Sequence, residues 1–150
     1  MRSLLAALLL TFVTSSAHAG GGMNCEARNK SVRLQVEAGI SRGLGASFFS
    51  FKGELDILVP GAPKDFRKVT FGRDHLTHHW LDGRNLKLRI YRERPDEPHG
   101  SVEIVIEAWP RKDEAFDYRG GYALTIFDSA TAGAEGKMTT LKVRITCSAE

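Results

Sequence analysis

The chain has 150 residues, 42% of them hydrophobic, with 21 Lys and Arg against 18 Asp and Glu and a formal charge of +3. That length suits one domain with a full core, and interspersed, nearly balanced charge argues against a nucleic-acid binder, which shows a denser basic run. No segment carries the roughly twenty consecutive apolar residues of a membrane helix, so a transmembrane protein is not expected.

Residues 1–19 open with Arg2, run apolar from Leu4 to Val13 and end on the small-x-small pattern Ala17-His18-Ala19. An apolar run about half as long as a bilayer requires, followed by that pattern, reads as a secretory signal peptide cut before Gly20. The mature chain is expected to be secreted or periplasmic, with residues 20–150 as a single domain.

From there apolar and polar residues alternate. Val32, Leu34, Val36, Ala38 and Ile40 take every second position. Phe49, Phe51, Leu55, Ile57 and Val59 follow, with Gly53 in the gap. Then come Leu86, Leu88 and Ile90; Val102, Ile104, Ile106 and Ala108; Tyr122, Leu124 and Ile126; and Leu141, Val143, Ile145 and Cys147. A period of two marks strands with one buried face. Gly- and Pro-rich breakers separate the runs, and no long helical stripe intervenes. Seven or eight such strands predict an all-β fold, an antiparallel β-sandwich of immunoglobulin-like or related type, with a closed β-barrel as the alternative. The stretch Tyr118–Leu124 resembles the tyrosine corner of immunoglobulin-like sandwiches, in which a Tyr bonds back to upstream backbone. Tyr122 as a plain core aromatic is the simpler expectation.

Cys25 and Cys147 are the only cysteines. In an oxidising compartment an even pair reads as a disulfide, and a redox or metal pair would prefer close CxxC spacing. Both fall in phase with apolar neighbours on their own runs. The predicted bridge lies in or beside the core and brings the first and last strands together.

The stretch Asp74–Gly83, DHLTHHWLDG, holds three of the five histidines. On a strand, His75 and His79 stand roughly 13 Å apart and His78 faces the other way, so no two chelate one ion; on a short helix they would be neighbours. Asp82-Gly83-Arg84 is a turn sequence before an evident strand at Leu86–Ile90. A three-residue loop would set Trp80 opposite Leu86, His78 opposite Leu88 and Leu76 opposite Ile90, which matches the apolar sets. The prediction is a strand with Leu76, His78 and Trp80 inward, His79 outward opposite Lys87, and no metal site.

GxSxG, HExxH and a phosphate-binding glycine loop are all missing from the sequence. Glu103 and Glu107 share a face at roughly 13 Å, wide for a glycosidase pair. No catalytic residue and no cofactor are therefore expected. Lys87 and Arg89 point outward on one strand, Lys142 and Arg144 on another. Were those strands adjacent, they would form a shallow positive face for an acidic partner, a polyanionic glycan or a lipid head group. Trp109 is out of phase with Ile104 and Ile106, and the charged loop Arg111–Gly121 embeds Phe116 and Tyr118. The function expected is that of an exported, non-enzymatic binding module for an unknown protein or glycan partner, with Trp109, Phe116, Tyr118, Lys87 and Arg89 as its surface. Two alternatives stand beside it. One is a metal-binding protein or enzyme using His75–His79; the other is a structural subunit of an envelope assembly.

Overall fold

The computed structural model describes residues 20–41, 47–82, 84–112, 114–130 and 135–150. The expected signal peptide and its cleavage site fall outside the described residues, up to Gly20. Among the described residues nine strands form: β1 Gly20–Arg28, β2 Val32–Ser41, β3 Ser47–Ile57, β4 Lys68–Phe71, β5 Leu76–Leu81, β6 Leu86–Glu93, β7 Gly100–Arg111, β8 Glu114–Asp128 and β9 Lys137–Ala149. The alternation seen in the sequence sets the phase of most of them. Val32, Leu34, Val36, Ala38 and Ile40 of β2 are buried, as are Leu86, Leu88 and Ile90 of β6 and Val102, Ile104, Ile106 and Ala108 of β7. All belong to one hydrophobic cluster, so each strand is held by the apolar area on its inner face.

The strands make a single sheet in the order β4-β3-β2-β1-β9-β8-β7-β6-β5. All eight neighbouring pairs are antiparallel. The two outermost strands, β4 and β5, therefore run in the same direction. They are consecutive in the chain, separated by Gly72 and the helical turn Arg73–His75. Together they trace one path that leaves the β3 edge and joins the β6 edge, and the sheet curls until it is nearly closed. The all-β antiparallel class read from the sequence is the class observed, in its barrel-like form. A strand over LTHHWL is expected from the sequence, and among the described residues the short strand β4 raises the count to nine. KVTF does alternate, with Val69 and Phe71 buried, but over only four residues, and LTHHWL does not keep a clean period of two.

Side chains bridge the unpaired seam. Arg73 Nη1 donates to the Phe48 carbonyl at 2.8 Å and Arg92 Nη1 to the Thr70 carbonyl at 2.6 Å. The Phe48 and His79 rings stack across it. These contacts occupy edges that would otherwise invite pairing with another chain.

Two sequence expectations change in register. Ser50 sits at φ 50°, in a β-bulge between the Glu37↔Lys52 and Gly39↔Phe49 pairs. The extra residue turns both Phe48 and Phe51 inward and leaves Phe49 at 46% exposure, where strict alternation had Phe49 buried. In the β5–β6 hairpin, Asp82 Oδ1 accepts the backbone N–H groups of Arg84 and Asn85, both at 2.8 Å, and holds a four-residue loop. Leu81 then opposes Leu86, Trp80 opposes Lys87, His79 opposes Leu88 and His78 opposes Arg89. Trp80 is thus outward at 57% exposure, and His79, expected opposite Lys87, is paired with inward Leu88 and stacks on Phe48 while remaining exposed. An irregularity between Leu76 and His78 absorbs the slip, so Leu76 still opposes Ile90.

Cys25 and Cys147 are directly opposed on β1 and β9, with Cα atoms 4.0 Å apart and their sulfurs bonded. At a sequence separation of 122, the chain-entropy picture assigns the crosslink about 5 kcal/mol. The same pairing explains one of the glycines that begin β1, Gly21. A Cβ on Gly21 would lie 1.3 Å from the Glu150 carbonyl oxygen, and Glu150 N–H donates to the Gly22 carbonyl at 2.9 Å.

Candidate functional site

Because Ile104, Ile106 and Ala108 take the inward positions of β7, the residues between them face solvent: Val105, Glu107 and Trp109. On β8 the inward set Tyr122, Leu124 and Ile126 leaves Arg119, Gly121 and Ala123 on the outer side, and β9 contributes Lys142 and Arg144. The register stacks these into three rungs: Val105, Ala123 and Lys142; Glu107, Gly121 and Arg144; Trp109, Arg119 and Thr146. The small residues of the middle strand lie between larger ones, which leaves a trough of about 410 Å³ on the outer face. One wall is Val105 and Trp109, the latter 50% exposed. The other is Lys142 and Arg144.

The paired glycines of β8 differ in cause. A Cβ on Gly120 would stand 1.9 Å from the Glu107 carbonyl oxygen, so the β7 backbone requires glycine there. A Cβ on Gly121 would meet only the Val143 carbonyl, at 3.4 Å. Packing does not demand glycine at 121; its effect is to keep the trough floor low.

Electrostatics divide the bases into two groups. Lys87 Nζ lies 3.4 Å from Glu107, and Arg89 Nε donates to Glu103 at 2.6 Å. Strands β6 and β9 are separated by β7 and β8, so the four bases do not form the shared positive face that adjacency would have produced. Among the described residues Arg119, Lys142 and Arg144 have no ion-pair partner. With Glu107 occupied by Lys87, the trough is left with positive charge facing an indole.

Of the residues singled out in the sequence, Trp109 stands at this trough. Lys87 and Arg89 both lie on β6, the strand next to β7. Phe116 is exposed near the start of β8. Tyr118 is only 4% exposed, its hydroxyl titration raised by burial and then by the Asp82 charge. Tyr122 is a core aromatic whose hydroxyl has no hydrogen-bond partner among the described residues, unlike a tyrosine corner. Gly121 and Ala123 were missed. Their signal was present: two small residues at consecutive outward positions of one strand.

The three histidines of the DHLTHHWLDG stretch go to three different surroundings. His75 Nδ1 accepts the Gly72 backbone N–H at 2.9 Å, and its ring meets Phe71 edge-on. His78 points outward opposite Arg89. His79 stacks on Phe48, its titration lowered first by burial and then by the Arg73 charge. Among the described residues, no group of three or more His, Cys, Asp or Glu side chains is placed to hold a metal ion.

A second polar cluster closes the end of the barrel that carries the β3–β4, β6–β7 and β8–β9 connections. Arg94 bonds Asp65 through Nε and Nη2 at 2.8 and 3.1 Å and Asp128 through Nη1 at 3.0 Å, with its guanidinium over the Phe66 ring. Asp128 is buried at the end of β8 and Asp65 lies between β3 and β4, so Arg94 ties its own connection to both.

Comparison with known proteins finds no family model, no curated protein and no solved structure that matches the chain.

Proposed function

We propose that the protein is an exported, non-enzymatic binding module that engages its partner through the outer face of β7, β8 and β9. The observation that carries this reading is the trough between Trp109 on one side and the ion-pair-free Lys142 and Arg144 on the other. An exposed indole beside uncompensated cations is a surface with affinity left unspent within the chain. The barrel interior is filled by apolar side chains from every strand, which directs attention to the outside.

Export is supported by the expected signal peptide and by the Cys25–Cys147 bridge, since disulfides persist in oxidising compartments. No helix among the described residues is long and apolar enough to cross a membrane.

The test is retention of envelope components by immobilised mature protein. The wild type is expected to hold a component, from either the protein or the polysaccharide fraction, that a Trp109→Ala/Arg144→Ala variant loses and a Lys52→Ala control keeps. Equal retention by all three would count against this face.

A further inference from the structure

We infer that the β8 trough takes an extended acidic polysaccharide, a chain of uronate-type sugars; the inference rests on the binding face proposed above. Along β7 the lining runs from Val105 to Trp109, roughly 13 Å, over a floor of Gly121 and Ala123. That is the length of a short run of pyranose rings. A pyranose ring offers what the two walls can hold: a flat C–H face for the Trp109 indole and carboxylates for Lys142 and Arg144. The guanidinium of Arg144 suits a carboxylate in paired, charge-assisted geometry. The low floor at Gly121 lets a ring approach the backbone closely. Because Glu107 is held by Lys87, no free carboxylate on that rung repels the anion.

The topology disfavours an acidic peptide in the same place. An extended peptide gains most of its affinity by pairing its backbone with a free sheet edge. Strand β8 has none: both of its edges are taken, by β7 and by β9. Its outer face presents side chains alone, which suits a ligand recognised by ring faces and charges.

The experiment titrates the mature protein with sodium polygalacturonate, neutral dextran and poly-L-glutamate by calorimetry, at low and high salt. Polygalacturonate is expected to bind and dextran not, with affinity falling as salt rises. Lys142→Ala/Arg144→Ala is expected to weaken binding by about tenfold or more, as for lost contacts to charged groups. Gly121→Val retains every charge and is expected to weaken it too, with cooperative unfolding of each variant as the check on folding. Poly-L-glutamate binding as tightly as polygalacturonate would overturn the glycan assignment. So would absence of polygalacturonate binding while the trough variants still lose the envelope component, and in that case the binding face would survive. Polygalacturonate binding unchanged in both variants would bring down the trough along with its ligand.

Discussion

Phe48 and His79 lie face to face, ring centroids 4.9 Å apart and 18° from parallel, across the seam where β3 and β5 have no backbone ladder between them. Arg73 reaches the Phe48 carbonyl from the same corner. The barrel is thus closed there by a ring stack and a guanidinium, and one of the rings is a titratable imidazole.

Stability is predicted to fall as pH drops below neutrality, in part through His79. Burial and the Arg73 charge hold its folded titration below the ordinary histidine value of 6.5. The unfolded chain therefore takes up the proton more readily, and protonation favours unfolding. The stabilising contribution is complete above 6.5 and is lost as pH falls through the lower, folded value. Urea midpoints at pH 7.5 and 5.0 measure this. His79→Phe, which keeps the stack, should shrink the difference between them; an unchanged difference would remove His79 from the account.

Reducing Cys25–Cys147, or replacing both residues with Ala, is predicted to cost about 2 to 5 kcal/mol, because the bridge closes a long loop. Guanidinium unfolding with and without reductant measures it. A loss under about 1 kcal/mol would mean the reduced chain is already constrained, against the entropic reading.

Tyr122 is 2% exposed, with its hydroxyl unpartnered and its pKa pushed up to about 12 by burial. Tyr122→Phe should leave stability unchanged or raise it by about 1 kcal/mol, since it removes an unsatisfied polar atom from the core. Thermal unfolding decides the sign, and clear destabilisation would contradict the orphaned hydroxyl.

Arg94→Met is predicted to destabilise by about 3 kcal/mol, because it takes the cation away from buried Asp128 while roughly keeping volume. Chemical denaturation measures it. A near-neutral result would show that the loops at that end are held by packing rather than by the ion cluster.

Gly120→Ala and Gly121→Ala should separate. The first forces a Cβ into the Glu107 carbonyl and should lower the melting temperature; the second should leave it nearly unchanged or raise it. Equal losses in both would mean that Gly121 is also a packing glycine and that the trough floor has a structural cause.

Much of this fold is written in the sequence itself. The phase of β2, β6, β7 and β9 was legible because burial on one face forces a two-residue rhythm. The disulfide followed because both cysteines kept that rhythm. Phase errors arose where one residue breaks it: the Ser50 bulge swapped Phe48 for Phe49, and the Asp82-held loop turned Trp80 outward. Both are decided by local hydrogen bonding and backbone twist rather than by hydrophobicity. Whether β1 pairs with β9 or faces it from a second sheet is a long-range choice that alternation does not encode. The outward position of Trp109 could be read directly. That Lys87 and Arg89 are occupied by Glu107 and Glu103, whereas Lys142 and Arg144 are left open, needed the strand order.

The most direct test of the binding face uses the two tryptophans as probe and control. Both are about half exposed on the outer surface, Trp109 at the trough and Trp80 away from it. Hydroxyl-radical footprinting of the mature protein, with and without envelope extract, reports the ratio of their oxidation. The account predicts that extract protects Trp109 selectively; protection of Trp80 instead, or a ratio that does not change, would contradict it.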